Sequence, residues 1–229
     1  MTPTTDRRYL WLFAILALVG LVADQASKYF IFAKIYPEPG RTSATYEIIP
    51  DWFSLQTNYS PKQDSGDEPL SFLRTISGPR VPYVNKGALF GFGNAEDGGW
   101  NIVFMCVSIL AAGFIIFWVR RPHVACDRVL CLALGLILAG TLGNLIDRIV
   151  FGGVRDFLHC YYVDASGIVH IWPDFNIADC CLVLGAGLLL VHSFFAKDPA
   201  SEPAKTQAAP VEAVAPAPTD GAMSSGSPA

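Results

Sequence analysis

The sequence predicts a helical membrane protein, with four transmembrane helices and a long outer loop of short strands. Three observations predict it. The 229 residues are 52% hydrophobic and only 16% charged, with a mean hydropathy of +0.38, more apolar than an ordinary soluble domain. Four windows, about 10–33, 100–119, 129–150 and 177–195, are long and apolar enough to cross a bilayer, which takes about 20 such residues. Between the first two lies a long stretch, 34–99, of short apolar runs punctuated by Pro, Gly, Asp and Ser, the pattern of strands and turns.

The first window follows Arg7 and Arg8, as a signal peptide would. It is longer than a usual signal core and no small-residue cleavage site clearly ends it, so it reads as a retained span. Orientation follows from the cations in short loops. Arg7 and Arg8, then Arg120, Arg121 and Arg128, then Lys197 all fall on one side. Residues 1–9 and 197–229 are therefore expected to be cytoplasmic, and 34–99 to lie outside.

Within the outer loop, Tyr46–Pro50 and Asp51–Gln56 read as strands, and 70–76 and 81–84 as further ones. Residues 60–69 read as a polar turn, and so does Asp164–Gly167. After Ala196 the composition turns to Ala, Pro, Ser, Glu and Thr, so 197–229 is expected to be a disordered tail. The net charge of −4 argues against a nucleic-acid partner. The six cysteines form no CxxC pair and no metal-like Cys/His set, so neither a disulfide framework, a metal nor a cofactor is expected.

The polar residues of the spans carry the functional signal, because ionisable groups in a membrane segment are costly. Asn144, Asp147 and Arg148 end the third span at i, i+3 and i+4, one helix face. Asp24 and Lys28 sit at i, i+4 in the first span, either as a self-satisfied pair or as part of a larger network. Asn176 and Asp179 open the fourth span; singly, one could be a helix cap and the other a dipole partner. Spans one and three run outward and span four inward, so all seven side chains land in one layer near the outer surface, with Asp156 just beyond. That coincidence points to a site.

The layer is rich in carboxylates, with no serine–base pair and no metal motif. Two carboxylates close together in a partly dry site cannot both ionise easily, so the pair keeps one proton. One member can then activate water while the other protonates a carbonyl or leaving amine. The rival chemistry is a proton relay in a small transporter, which also uses membrane Asp and Arg. That reading wants polar residues continuing down the spans, and spans two to four have nearly none. An inactive lipid- or peptide-binding protein of the same fold is the other alternative.

Asp24-x-x-x-Lys28, Asn85-x-Gly87-Ala88-x-Phe90, Gly143-Asn144-x-x-Asp147-Arg148, Val154-x-Asp156-Phe157 and Phe175-Asn176-x-Ala178-Asp179 together resemble the motif set of lipoprotein signal peptidase, signal peptidase II. The order, spacing and placement on four spans agree over about Leu10 to Phe195. The resemblance implies an intramembrane aspartic endopeptidase of the bacterial inner membrane, with four transmembrane helices and a small extracytoplasmic β-cradle. It would cut prolipoproteins before a diacylglyceryl-modified cysteine, in contact with membrane lipid and as a monomer. Asp156 and Asp179 would be the catalytic pair. Asn85, Gly87, Asn144, Arg148 and Asn176 would bind substrate or shape the site, and Asp24, Lys28 and Asp147 would scaffold it. The chain departs from the family pattern in an insertion at about 57–82, in a longer Asp156–Asp179 connection, and in Arg155, a cation beside Asp156. If Arg155 points inward, it should lower that carboxylate's pKa.

Overall fold

The computed structural model describes residues 8–63, 70–77, 80–87 and 99–195. The expected tail, 197–229, and residues 64–69 of the expected insertion lie outside them. In chain order the elements are α1 (Leu10–Lys34), β1 (Ser43–Ile49), β2 (Phe53–Gln63), α2 (Ser71–Arg74) running into a 3-10 turn (Thr75–Ser77), β3 (Arg80–Pro82), α3 (Gly99–Val119), α4 (Pro122–Ala125), α5 (Arg128–Phe151), β4 (Leu158–Val163), β5 (Val169–Ile171) and α6 (Ile177–Phe195).

Helices α1, α3, α5 and α6 are each long and apolar enough to cross a membrane. Their outward faces carry bare apolar side chains: Leu18 is 62% exposed, Leu110 73%, Val183 67% and Phe194 76%. Lipid is the solvent that suits such a surface. α5 is the central helix, with 56% of its apolar window covered against 6%, 17% and 17% in α1, α3 and α6. It can be central because small residues let its neighbours approach closely. Ala139 faces Gly20 of α1, Gly140 faces Ala178 of α6, and Ile137 faces Gly185. At its start Asp127 caps α5, its Oδ1 accepting the N–H groups of Val129 at 2.8 Å and Leu130 at 3.0 Å.

One end of the bundle carries a five-stranded antiparallel sheet in the order β1-β2-β4-β5, with β3 also on β2. Two isolated bridges tie it to the helices: Asn85 with Val154, and Leu158 with Phe175. Residues 70–76 are a correction to the sequence reading, being α2 and the start of the 3-10 turn instead of a strand. Leu70, Leu73 and Ile76 recur every three residues, a helical period, and the segment packs on α1 and α5. β4 and β5 flank the turn expected at Asp164–Gly167. They form a hairpin closed by Asp164, whose Oδ1 accepts the N–H groups of Ser166 at 2.8 Å and Ile168 at 3.0 Å.

A Cβ on Gly185 would lie 2.6 Å from Cγ1 of Ile137 and 2.8 Å from the Ala133 carbonyl oxygen. Gly185→Val must therefore push α6 off α5. A loss of about 1–3 kcal/mol is expected, visible as a lower Tm in detergent, whereas Gly187→Val, in open space, should leave Tm within error.

Candidate active site

At the sheet end of α1, α5 and α6, four charged side chains are fully buried: Asp24, Lys28, Asp147 and Arg155. Buried ions are tolerated only when paired and hydrogen-bonded, and these are. Lys28 Nζ lies 2.9 Å from Asp24 and 3.4 Å from Asp147. Arg155 meets Asp147 through Nη2 at 2.9 Å and Nε at 3.2 Å. Its guanidinium also lies over the rings of Phe151 at 3.9 Å and Tyr29 at 4.2 Å. Gln25 joins the pieces, donating to Asp24 at 3.0 Å, to the Gly143 carbonyl at 3.0 Å and to Asp147 at 3.2 Å. Gly143 is where α5 needs no side chain, since a Cβ there would lie 2.5 Å from Asp24 Oδ2.

The two buried aspartates do one further thing in common. Asp24 Oδ1 accepts the backbone N–H of Ala178 at 2.9 Å, and Asp147 Oδ2 accepts that of Arg155 at 2.9 Å. Ala178 precedes Asp179, and Arg155 precedes Asp156. Each buried carboxylate thus fixes the backbone one residue before an acidic side chain that is only partly buried.

Those two acidic side chains meet on Asn176, which is fully buried. Asn176 Nδ2 donates to Asp156 Oδ1 at 2.7 Å. Asn176 Oδ1 accepts the Asp179 N–H at 3.1 Å, and Asp179 Oδ2 accepts the Asn176 N–H at 3.2 Å. The second pair of bonds is a reciprocal helix cap, so Asn176 both starts α6 and bridges the carboxylates. Asn144 Nδ2 holds the other oxygen of Asp179 at 2.8 Å, while its Oδ1 accepts from Lys28 and from Asn176, each at 3.3 Å. Asn85 Nδ2 holds the second oxygen of Asp156 at 3.1 Å, placed by the Asn85–Val154 bridge. Burial, then the Asp179 carboxylate, pushes the Asp156 pKa up to about 7, against the lowering bonds from Asn176 and Asn85. The Asp156 carboxyl can therefore carry a proton near neutral pH.

Every site residue named from the sequence lies in or beside this layer, though not always against the partner expected. Arg148 makes no hydrogen bond to Asp156 or Asp179. It donates to the Gly87 carbonyl at 2.9 Å and to Asn101 Oδ1 at 3.3 Å, with its guanidinium 4.7 Å from the Phe104 ring. It holds the turn at Asn85–Gly87, where the Gly87 N–H also bonds Asn85 Oδ1 at 3.0 Å. Arg155 points away from Asp156 because successive side chains of extended backbone leave on opposite faces. It neutralises Asp147 instead. Gln25 and Asn101 were passed over, although a lone amide in an apolar window is itself a signal.

Arg155→Met removes one of two cations from a buried carboxylate. A loss of about 3–5 kcal/mol is expected, read as a fall in Tm in detergent. Adding Asp147→Asn to that variant should cost less than the sum of the two single changes; additivity would mean that the pair is not coupled.

A family model described as signal peptidase (SPase) II matches residues 80–195. The chain is 39% identical to a lipoprotein signal peptidase of Pseudoalteromonas translucida over 134 residues, 58% of this chain and 75% of that one. It is 34% identical to the lipoprotein signal peptidase of Symbiobacterium thermophilum, covering 78% of this chain and 91% of that one. The same identity to the enzyme of Maridesulfovibrio salexigens covers 81% and 96%. A solved structure described as a bacterial membrane enzyme superposes with a TM-score of 0.56 at 22% identity, over 80% of this chain and 88% of that one, a likeness of fold. By its matched segment and by these relatives, the chain belongs to the signal peptidase II family.

Proposed function

We propose that this chain removes signal peptides from prolipoproteins, cutting before a diacylglyceryl-modified cysteine, with Asp156 and Asp179 as the catalytic pair. The observation that carries this reading is the meeting of both carboxylates on Asn176. A water held between them loses a proton to the ionised member as its oxygen attacks the scissile carbonyl carbon. The protonated member gives its proton to the carbonyl oxygen. When the tetrahedral intermediate collapses, the C–N bond breaks, the leaving amine takes a proton from one member, and a hydroxyl of the intermediate returns a proton to the other as the C=O bond re-forms. No covalent enzyme intermediate forms. Asn85 and Asn144 orient the pair, each holding one carboxylate oxygen, of Asp156 and of Asp179 respectively. Asn176 sets the separation of the pair, and Arg148 with Gly87 shapes the turn above it.

Orientation follows the loop cations. Arg120, Arg121 and Arg128 lie between α3 and α5, at the end of the bundle away from the sheet. With that end cytoplasmic, both termini are cytoplasmic and the pair sits at the extracytoplasmic rim. There a substrate anchored by its own acyl chains in the outer leaflet presents the bond next to its lipidated cysteine. Both carboxylates and the amides that hold them come from one chain, which supports a monomer as the working unit.

Asp156→Asn and Asp179→Asn, each inserted normally, should lower cleavage of a diacylglyceryl-modified prolipoprotein by roughly 10²–10⁴-fold. Near-normal turnover by either would overturn the assignment. For the pH profile, a raised pKa means that the proton is held up to about pH 7 and lost above it. kcat/KM should fall on the alkaline side near that value. Asn176 and Asn85 stabilise the charged form, so Asn85→Ala should move the alkaline limb to higher pH; a shift to lower pH would contradict the electrostatics.

A further inference from the structure

α5 ends at Phe151, and its C-cap, Gly152, has a left-handed φ of 73°. In an unbroken helix the Val150 carbonyl would accept the N–H of residue 154. Here the chain has already turned away, and the Val154 N–H bonds the Asn85 carbonyl at 2.9 Å instead. That bond is half of the bridge that brings Asn85 to Asp156. Making the site therefore strips the Val150 carbonyl of its helical donor, at a residue only 4% exposed. Such orphan carbonyls need another donor.

The donor comes from the segment that departs from the family pattern. Arg74 Nε reaches the Val150 carbonyl at 2.6 Å. Arg74 is the last residue of α2, and α2 with its 3-10 turn packs on α5 and α1. A cation at a helix C-terminus is also favoured by the helix dipole. From Val150 the path to Asp156 is short: one helical residue, two glycines, the Val154 bridge, and Arg155 pinned on Asp147.

We propose that Arg74 is a positioning residue for Asp156. The insertion carries it to the end of α5, where it holds the point from which the Gly152–Asp156 segment leaves. This rests on the reading of Asp156 as catalytic. Arg74 touches neither substrate nor the reacting carboxylates, and acts by keeping the departure angle fixed while Val154 stays on Asn85.

The test is steady-state cleavage of a diacylglyceryl-modified prolipoprotein by wild type, Arg74→Ala, Arg74→Gln and Arg74→Lys in detergent, with full pH profiles. Arg74→Ala should lower kcat about 10-fold or more with KM little changed. Its alkaline limb should move to lower pH, because a loosened Asp156 regains solvent and its proton is held less tightly. Arg74→Lys, which keeps cation and donor, should recover much of kcat, and Arg74→Gln less. Wild-type kcat and an unmoved limb in Arg74→Ala would overturn the proposal, and so would a fall in Tm with neither kinetic change. If Arg74→Ala does not fold, Arg74→Gln carries the same readings. Asp156→Asn is run beside them: if it cleaves, the catalytic assignment fails, and if it is dead while every Arg74 variant is normal, only this proposal fails.

Discussion

Everything at the sheet end of this molecule depends on four charges that have no contact with solvent. Asp24 and Asp147 are balanced by Lys28 and Arg155, so the cluster is formally neutral. Ions brought out of water cost several kcal/mol each unless paired with good geometry. Separating α1 from α5 would break the Lys28–Asp147 pair, and separating α5 from the chain that follows it would leave Arg155 without Asp147. That penalty fixes the register of the helices. The same two carboxylates spend a second oxygen lone pair on the N–H groups of Ala178 and Arg155. Charge balance in the membrane thus becomes the placement of Asp179 and Asp156.

The division of labour follows burial. The scaffold charges are sealed, ionised partners of one another. Asp156 and Asp179 are only partly covered, and among the described residues no basic side chain hydrogen-bonds them. Their partners are amides: Asn176, Asn144 and Asn85. An amide orients a carboxylate without fixing its charge, and this leaves the pair able to pass a proton. A guanidinium in place of any of the three would hold its partner ionised. Arg155, next in sequence to Asp156, is turned to the other side, and Arg148 is spent on the backbone carbonyl of Gly87.

Much of this was legible before any coordinates. Apolar windows set by bilayer thickness gave the spans. Charged residues inside those windows gave the layer, since lipid tolerates them only with partners nearby. Asn176 shows why a modest reading and a functional one need not compete: it is a helix cap, and it bridges the carboxylates. What stayed hidden was directional. Spacing puts Asn144, Asp147 and Arg148 on one helix face, yet they serve three different neighbours. Residues 70–76 read as strand because the run is short and apolar, and short apolar runs do not separate strand from helix. Arg155 looked like a threat to Asp156 in one dimension and is a counter-ion to Asp147 in three.

The central claim is that residues 156 and 179 hold a single proton between them at neutral pH. Infrared difference spectroscopy of protein with isotope-labelled aspartate reads this directly, through the carbonyl stretch of a protonated carboxylic acid. The account predicts one such band near pH 7, lost as pH is raised and missing when either residue is changed to Asn. A spectrum with both carboxylates ionised at pH 7, or a band that survives both substitutions, would contradict it.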